Sequence, residues 1–181
     1  LLPKEIFELF KSRYEDIIEG LDLNLNLDHE FGKIEENFIS GAGREYAASR
    51  GEYLNGLVMS AYLGIEFIDA AEVIFFDDQG NLDADFTNQE LSERLSHAER
   101  AVIPGFYGAD HKGNIRTFSR GGSDITGSLV AKAIHADMYE TWTDVSGFLV
   151  ADPRIVKNPE GIETITYKEL RELAYMGASV L

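Results

Sequence analysis

The sequence predicts an α/β fold, layered around a largely parallel sheet. Three observations point to it. Short apolar runs alternate with helix-length amphipathic stretches. Turn-forming residues punctuate their boundaries. Polar, glycine-containing clusters follow the strand-like runs, where open α/β sheets gather their ligands. At 181 residues the chain amounts to one domain by length, large enough for a real hydrophobic core.

The elements follow in order. Residues 3–19 carry a helical stripe of Ile6, Phe7, Leu9, Phe10, Tyr14, Ile17 and Ile18, with Pro3 in the first turn. Residues 21–27 alternate Leu with Asp or Asn, which suits a strand and a solvated loop about equally. Helices are expected over 31–39 and 44–63, the second stopped by Gly64. Runs 65–68 and 73–76 read as strands, and Asp78-Gln79-Gly80-Asn81 as a turn. A polar helix is expected over 89–100 and a buried strand over 101–107. A hairpin turn at His111-Lys112-Gly113-Asn114 leads into a strand over 115–118. A helix from 125 to 136, a strand over 138–143 and a helix over 167–176 complete the pattern, the last stopped by Gly177.

Composition narrows the partners. A net charge of −16 argues against nucleic acid and anionic membranes, which need a basic face. An anionic nucleotide remains possible where a few cations and Mg²⁺ are placed locally. The chain has no cysteine, hence no disulfide or thiolate chemistry, which suits the cytoplasm. No apolar run approaches the ~20 residues that span a bilayer, and no signal-peptide pattern opens the chain. It begins at Leu1 rather than Met, as if partway into a larger protein.

Two clusters carry the chemistry. Ser119-Arg120-Gly121-Gly122-Ser123-Asp124 lies between a strand and a helix. A helix start offers unpaired N–H groups and partial positive charge, and a guanidinium pairs with carboxylate or phosphate through two parallel bonds. The bland alternative is a tight Gly-Gly turn with Ser123 as the helix cap and Asp124 as a first-turn charge. Downstream, Trp142-Thr143-Asp144-Val145-Ser146-Gly147 and Ala151-Asp152-Pro153-Arg154 follow another strand-like run. Taken singly, they suit a cap and a local ion pair. Together, the clusters suggest a crevice for two ligands and phosphoryl transfer.

The joint pattern resembles the aspartate kinases of the amino-acid kinase superfamily. Its matching residues are Gly105-Phe106, Arg120-Gly121-Gly122-Ser123-Asp124, Thr143-Asp144-Val145 with Gly147, Asp152-Pro153-Arg154-Ile155-Val156 and Gly177-Ala178. Upstream, Ser49-Arg50-Gly51-Glu52 resembles the family's Ser-x-Gly-Glu. The resemblance implies a three-layer αβα sandwich of the carbamate-kinase-like type, without its N-terminal strands. It also implies a partial catalytic domain, with residues 1–100 mainly binding the amino acid. Residues 101–181 would then hold the acceptor loop and the nucleotide, and no regulatory domain would be present.

The implied activity is transfer of the γ-phosphoryl of MgATP to the side-chain carboxylate of L-aspartate. This is the entry step to lysine, threonine, methionine and diaminopimelate. Glu52 would hold the substrate ammonium, and Arg120 with Gly121, Gly122 and Ser123 the α-carboxylate. Asp124 would orient the amino acid, and Phe106 would line the pocket. Thr143, Asp144, Leu149, Asp152, Arg154, Ser179 and Val180 would surround the nucleotide. Mg²⁺ would be held mainly through the phosphates, with no protein metal site, and the full-length protein would be a homodimer.

Because the acceptor carboxylate is already ionised at neutral pH, no general base is required. His29, His97, His111 and His135 are therefore expected to be surface or turn residues. Three departures from the family pattern stand out. No Lys-Phe-Gly-Gly motif is present, and the nearest lysines, Lys4, Lys11 and Lys33, sit in helix-like settings. Leu149 replaces a common tyrosine, and Ser179 replaces a common lysine. The polypeptide by itself is accordingly expected to be inactive or nearly so. Two alternatives stay open: a non-catalytic amino-acid- and nucleotide-binding or assembly module, and a kinase of another small acceptor.

Overall fold

Proline in the first turn and an apolar stripe every third or fourth residue make α1 (Pro3–Gly20). The computed structural model describes residues 3–142, 147–152 and 154–175. They form two compact units, Leu1–Tyr139 and Glu140–Leu181.

In the first unit, α1 is followed by α2 (Asp28–Ile39) and α3 (Arg44–Leu63). Gly64 ends α3 in the left-handed conformation, with φ 64°, as its lack of a side chain allows. Residues 21–27 form the loop rather than the strand, and their buried Leu27 precedes α2. Leu27, Phe31, Ile34, Leu54 and Val58 make one apolar cluster, against which Phe7, Phe10 and Tyr14 of α1 pack.

Five short strands follow: β1 (Glu66–Phe67), β2 (Phe75–Phe76), β3 (Ala101–Val102), β4 (Tyr107–Asp110) and β5 (Ile115–Thr117). A 3₁₀ turn, Ala70–Glu72, separates the first two, capped by the Asp69 carboxylate. β1 pairs with β3 in parallel; β2 pairs with β4 in parallel, and β4 with β5 as a hairpin. Helix α3 lies against β1, β3 and β5, while α4 (Ala84–Leu95) lies against β2 and α5 (Gly122–Ala133). The second apolar cluster, centred on Ile68, Ile74, Phe76, Leu91 and Tyr107, fills this strand region. The expected α/β class is the one observed.

Four boundaries differ from expectation. The helix placed at 89–100 is α4, which starts earlier because the Asp83 carboxylate accepts from Phe86 N–H and caps it. The single strand expected over 101–107 is divided between two sheets. Pro104 brings no N–H to a ladder, and Phe106 adopts a left-handed φ of 59°. α5 begins at Gly122 rather than 125, and its N-cap is Gly121, not Ser123. Residues 138–142 show no strand; Thr143 lies outside the described residues.

The second unit holds α6 (Tyr167–Tyr175), opened by a capping box that the sequence reading missed. Thr166 N–H donates to Glu169 Oε2 at 2.9 Å, while Glu169 N–H donates to Thr166 Oγ1 at 3.3 Å. A bridge joins Leu149 to Gly161. The expected stop at Gly177 falls outside the described residues. Among the described residues no helix is long and apolar enough to cross a membrane.

Candidate functional site

The site grows from the turn between β3 and β4. Its two consecutive amides are held by different elements: Gly105 N–H donates to Glu52 Oε1 of α3 at 3.3 Å, and Phe106 N–H to Thr126 Oγ1 of α5 at 3.2 Å. The Thr126 hydroxyl donates in turn to the Gly122 carbonyl at 2.9 Å. A bulky side chain in the left-handed region is strained, so Phe106 stays there only because its surroundings impose it. Besides Thr126, Phe118 N–H binds the Phe106 carbonyl at 2.9 Å.

Two glycines make this packing possible. A Cβ on Gly122 would fall 2.6 Å from the Phe106 Cβ and 2.7 Å from its Cα. A Cβ on Gly105 would fall 2.8 Å from Ser123 Oγ and 3.0 Å from the Ser123 Cα. The sequence reading gave both loop glycines to the ligand. In the structure Gly122 packs its Cα against the turn, and Gly121, with φ 61°, supplies the change of direction into α5. That helix starts without a side-chain cap.

A cavity of about 430 Å³ opens beside the turn. Glu52, Gly105, Ser123 and Thr126 supply its polar side, and apolar groups such as Ile103 and Val130 its far wall. Of the predicted substrate residues, Glu52 and Ser123 are thus brought together from two distant parts of the chain, beside Gly105 of the turn. Arg120 and Gly121, on the loop before α5, and Gly122 and Asp124, in its first turn, lie outside the cavity lining, with Arg120 exposed. The Phe106 ring packs on the strand-region cluster instead of lining the cavity. All four histidines are exposed. Lys11 pairs with Glu15 and Asp28, and Lys33 with Glu30, on helix surfaces.

Around Glu52, the neighbouring tyrosines stay protonated. Tyr14 OH donates to the Gly51 carbonyl at 2.7 Å, and burial together with the Glu52 charge raises its pKa. Burial also pushes up the Tyr107 and Tyr53 hydroxyls. Asp69 reinforces this at Tyr107 and Glu30 at Tyr53.

In the second unit Arg154 folds back on Asp152, with Nε 3.0 Å from both carboxylate oxygens and Nη2 2.6 Å from Oδ2. This pairing holds the Asp152 carboxyl at about 2. The local ion pair is therefore formed, while Arg154 remains 88% exposed. Leu149 is partly exposed beside its bridge to Gly161. Thr143, Asp144, Ser179 and Val180 lie outside the described residues.

Sequence reasoning missed Thr126. The available signal was a threonine four residues after Gly122 in a helix, where a hydroxyl bonds back to the i−4 carbonyl. Ser49 and Arg50 enter the sequence pattern only through the Ser-x-Gly-Glu resemblance, with no role of their own, because their burial has no local signature.

A carboxylate and an uncapped helix start bordering one cavity of an α/β unit match the chemistry of a small zwitterionic ligand. The model of the amino acid kinase family matches residues 11–181, and the chain belongs to that family. Aspartokinase 3 of Bacillus subtilis is 38% identical over 138 residues, covering 72% of this chain and 30% of that protein. Lysine-sensitive aspartokinase 3 of Escherichia coli is 40% identical over 98 residues, covering 54% of this chain and 22% of that one. Among solved structures, aspartate kinase of Clostridium acetobutylicum superposes with a TM-score of 0.93 at 52% identity, covering 98% of this chain and 41% of its own. Aspartokinase III of E. coli in complex with aspartate and ADP gives 0.78 at 26% identity, covering 97% and 44%. The chain spans less than half the length of each of these relatives.

Proposed function

We propose that the protein carrying this segment is an aspartate kinase, transferring the γ-phosphoryl of MgATP to the side-chain carboxylate of L-aspartate. The observation that carries the reading is the meeting of the Glu52 carboxylate with Ser123 and the uncapped start of α5 on one cavity wall. An amino-acid zwitterion needs this pairing of charges: an anion for its ammonium, and amide dipoles for its α-carboxylate. The 52% identity to an aspartate kinase structure and the aspartate held by the E. coli structure support the substrate.

In this reading Glu52 binds the ammonium, and Arg120 with the Gly121, Gly122 and Ser123 amides binds the α-carboxylate. Asp124 orients the acceptor and its cations, and Phe106 acts through the turn it shapes. The acceptor carboxylate is already ionised, so no side chain removes a proton. What opposes transfer is repulsion between two anions, which positioning, cations and amide dipoles offset. Residues 101–181 hold the nucleotide through Thr143, Asp144, Leu149, Asp152, Arg154, Ser179 and Val180. Leu149 offers an apolar contact and the exposed Arg154 a cation, once it shares or leaves Asp152. Mg²⁺ enters with the nucleotide, held through its phosphates and neutralising their charge. Residues 1–100 then serve mainly the amino acid, in a cytoplasmic protein that works as a homodimer.

The test is acyl-phosphate trapping with hydroxylamine on the full-length protein, supplied with MgATP and a panel of amino acids. Aspartyl hydroxamate is expected. Hydroxamate from glutamate instead, or from no amino acid, overturns the reading.

A further inference from the structure

We infer that Arg50 is a positioning residue, a buried guanidinium that sets Glu52 against the Gly105–Phe106 turn. Arg50 is only 7% exposed, and it forms no ion pair among the described residues. Burying a charge without a carboxylate beside it is costly, so such a group persists where its surroundings replace water closely. Here they do so with aromatic faces. Its guanidinium carbon lies 4.6 Å from the ring centroids of both Tyr46 and Tyr53, and 5.5 Å from that of Tyr107. Nε and Nη2 both donate to Ser49 Oγ, at 3.1 and 3.0 Å. Ser49 Oγ donates onward to the Tyr46 carbonyl at 2.8 Å.

The negative charge stands one bond further out. Tyr53 OH donates to Glu30 Oε2 at 2.8 Å, and Tyr107 OH to Asp69 Oδ1 at 2.7 Å. A phenol donating to a carboxylate gains electron density in its ring, which strengthens the ring's hold on a cation. Glu30 on α2 and Asp69 before the 3₁₀ turn are thus linked through two rings to one guanidinium.

The location gives the cage its purpose. Arg50 and Glu52 are two residues apart on α3, so their side chains leave the helix about 200° apart. One reaches the Tyr107 ring and the other the Gly105 amide, two residues apart at the same strand entrance. Together they grip the strand entrance from two flanks of the helix, and a roll of α3 that loosens one contact is resisted by the other. The Glu52–Gly105 bond, at 3.3 Å, is long and weak on its own. Tyr107 is fully buried, which makes it a fixed anchor. Ser49 locks the guanidinium toward that anchor.

This inference rests on the proposed aspartate kinase activity for its kinetic consequence but not for its geometry. In the full-length protein, Arg50→Met should raise the aspartate KM on the order of tenfold or more, because small misplacements of a binding group are amplified at the site. The ATP KM should stay within about twofold, and Arg50→Lys, which keeps a cation in the cage, should fall between wild type and Arg50→Met. A lower melting temperature with both KM values unchanged would show the cage to be structural only and overturn the inference. If Arg50→Met does not fold, Arg50→Lys must show the same selective rise, and its absence refutes the proposal. Amide hydrogen exchange gives a readout independent of activity. Protection of Gly105 and Phe106 should drop in Arg50→Lys while that of α4 holds, and unchanged protection refutes the cage. Wild-type protein that fails to phosphorylate aspartate defeats the functional reading, and exchange alone then decides the role of Arg50.

Discussion

Replacing Thr126 by valine exchanges one oxygen for a methyl group of nearly equal size. The hydroxyl accepts from Phe106 N–H at 3.2 Å and donates to the Gly122 carbonyl at 2.9 Å, in a residue only 4% exposed. The Gly122 carbonyl keeps its place in the helical ladder, so its loss is small. The Phe106 amide loses its partner, and an unsatisfied buried N–H costs about 1–3 kcal/mol. Because this amide is only partly buried, the lower half of that range, about 1–2 kcal/mol, applies. Thr126→Ser is the control: it keeps the hydroxyl and loses one methyl, about 0.8 kcal/mol. Urea unfolding of the full-length variants should rank wild type above Thr126→Ser and Thr126→Val lowest. The same order should appear in aspartate affinity, since this bond helps hold Phe106 at its strained φ. If Thr126→Val matches wild type, or Thr126→Ser is the weaker of the two, packing and not the hydroxyl bridge holds the turn.

Three further predictions concern other parts of the chain. Arg120→Ala should raise the aspartate KM far more than the ATP KM in steady-state kinetics, and equal losses for both substrates would remove Arg120 from the acceptor site. Gly108→Ala would bring a Cβ to 2.9 Å from the Ile74 carbonyl carbon and 2.8 Å from its Cγ2. Backbone in a paired strand yields little, so denaturation should show a loss of about 1–3 kcal/mol or more, and a neutral result would contradict the β2–β4 pairing. The Asp110 carboxyl is held at about 2, first by the Asn114 amide and further by backbone N–H groups and Arg116. Since its folded pKa lies below the ordinary value of about 4, its contribution is present above that pH and fades as pH falls toward 2. The urea midpoint of wild type should fall more steeply than that of Asp110→Asn across this window, and parallel profiles would refute the assignment.

What could be read from sequence followed the range of the signals. Helix α3 was legible at both ends because its apolar spacing and Gly64 act locally. Helix α4 was displaced because polar periodicity outweighed a cap at Asp83, although the cap decides where the first orphan amides find a partner. The run at 101–107 looked like one buried strand because its residues are uniformly apolar; Pro104 and the turn of Phe106 divide it between two sheets. At the site, Glu52 and the Arg120–Asp124 segment were legible as chemistry-bearing groups, whereas the turn at Gly105 was hidden inside the run read as a strand.

By itself the sequence determined the α/β class, most of the helices, and the residue types able to hold an amino acid and a nucleotide. These depend on neighbours within a turn or two of the chain. The tertiary structure decided which of them share a wall. It placed Glu52 and Ser123 on one cavity, turned Gly122 inward against Phe106, and made Thr126 the partner of a strained amide. It also enclosed Arg50 among three tyrosines. Close approach and burial are set by residues remote in the chain, and no local pattern reports them until the helices and strands have packed.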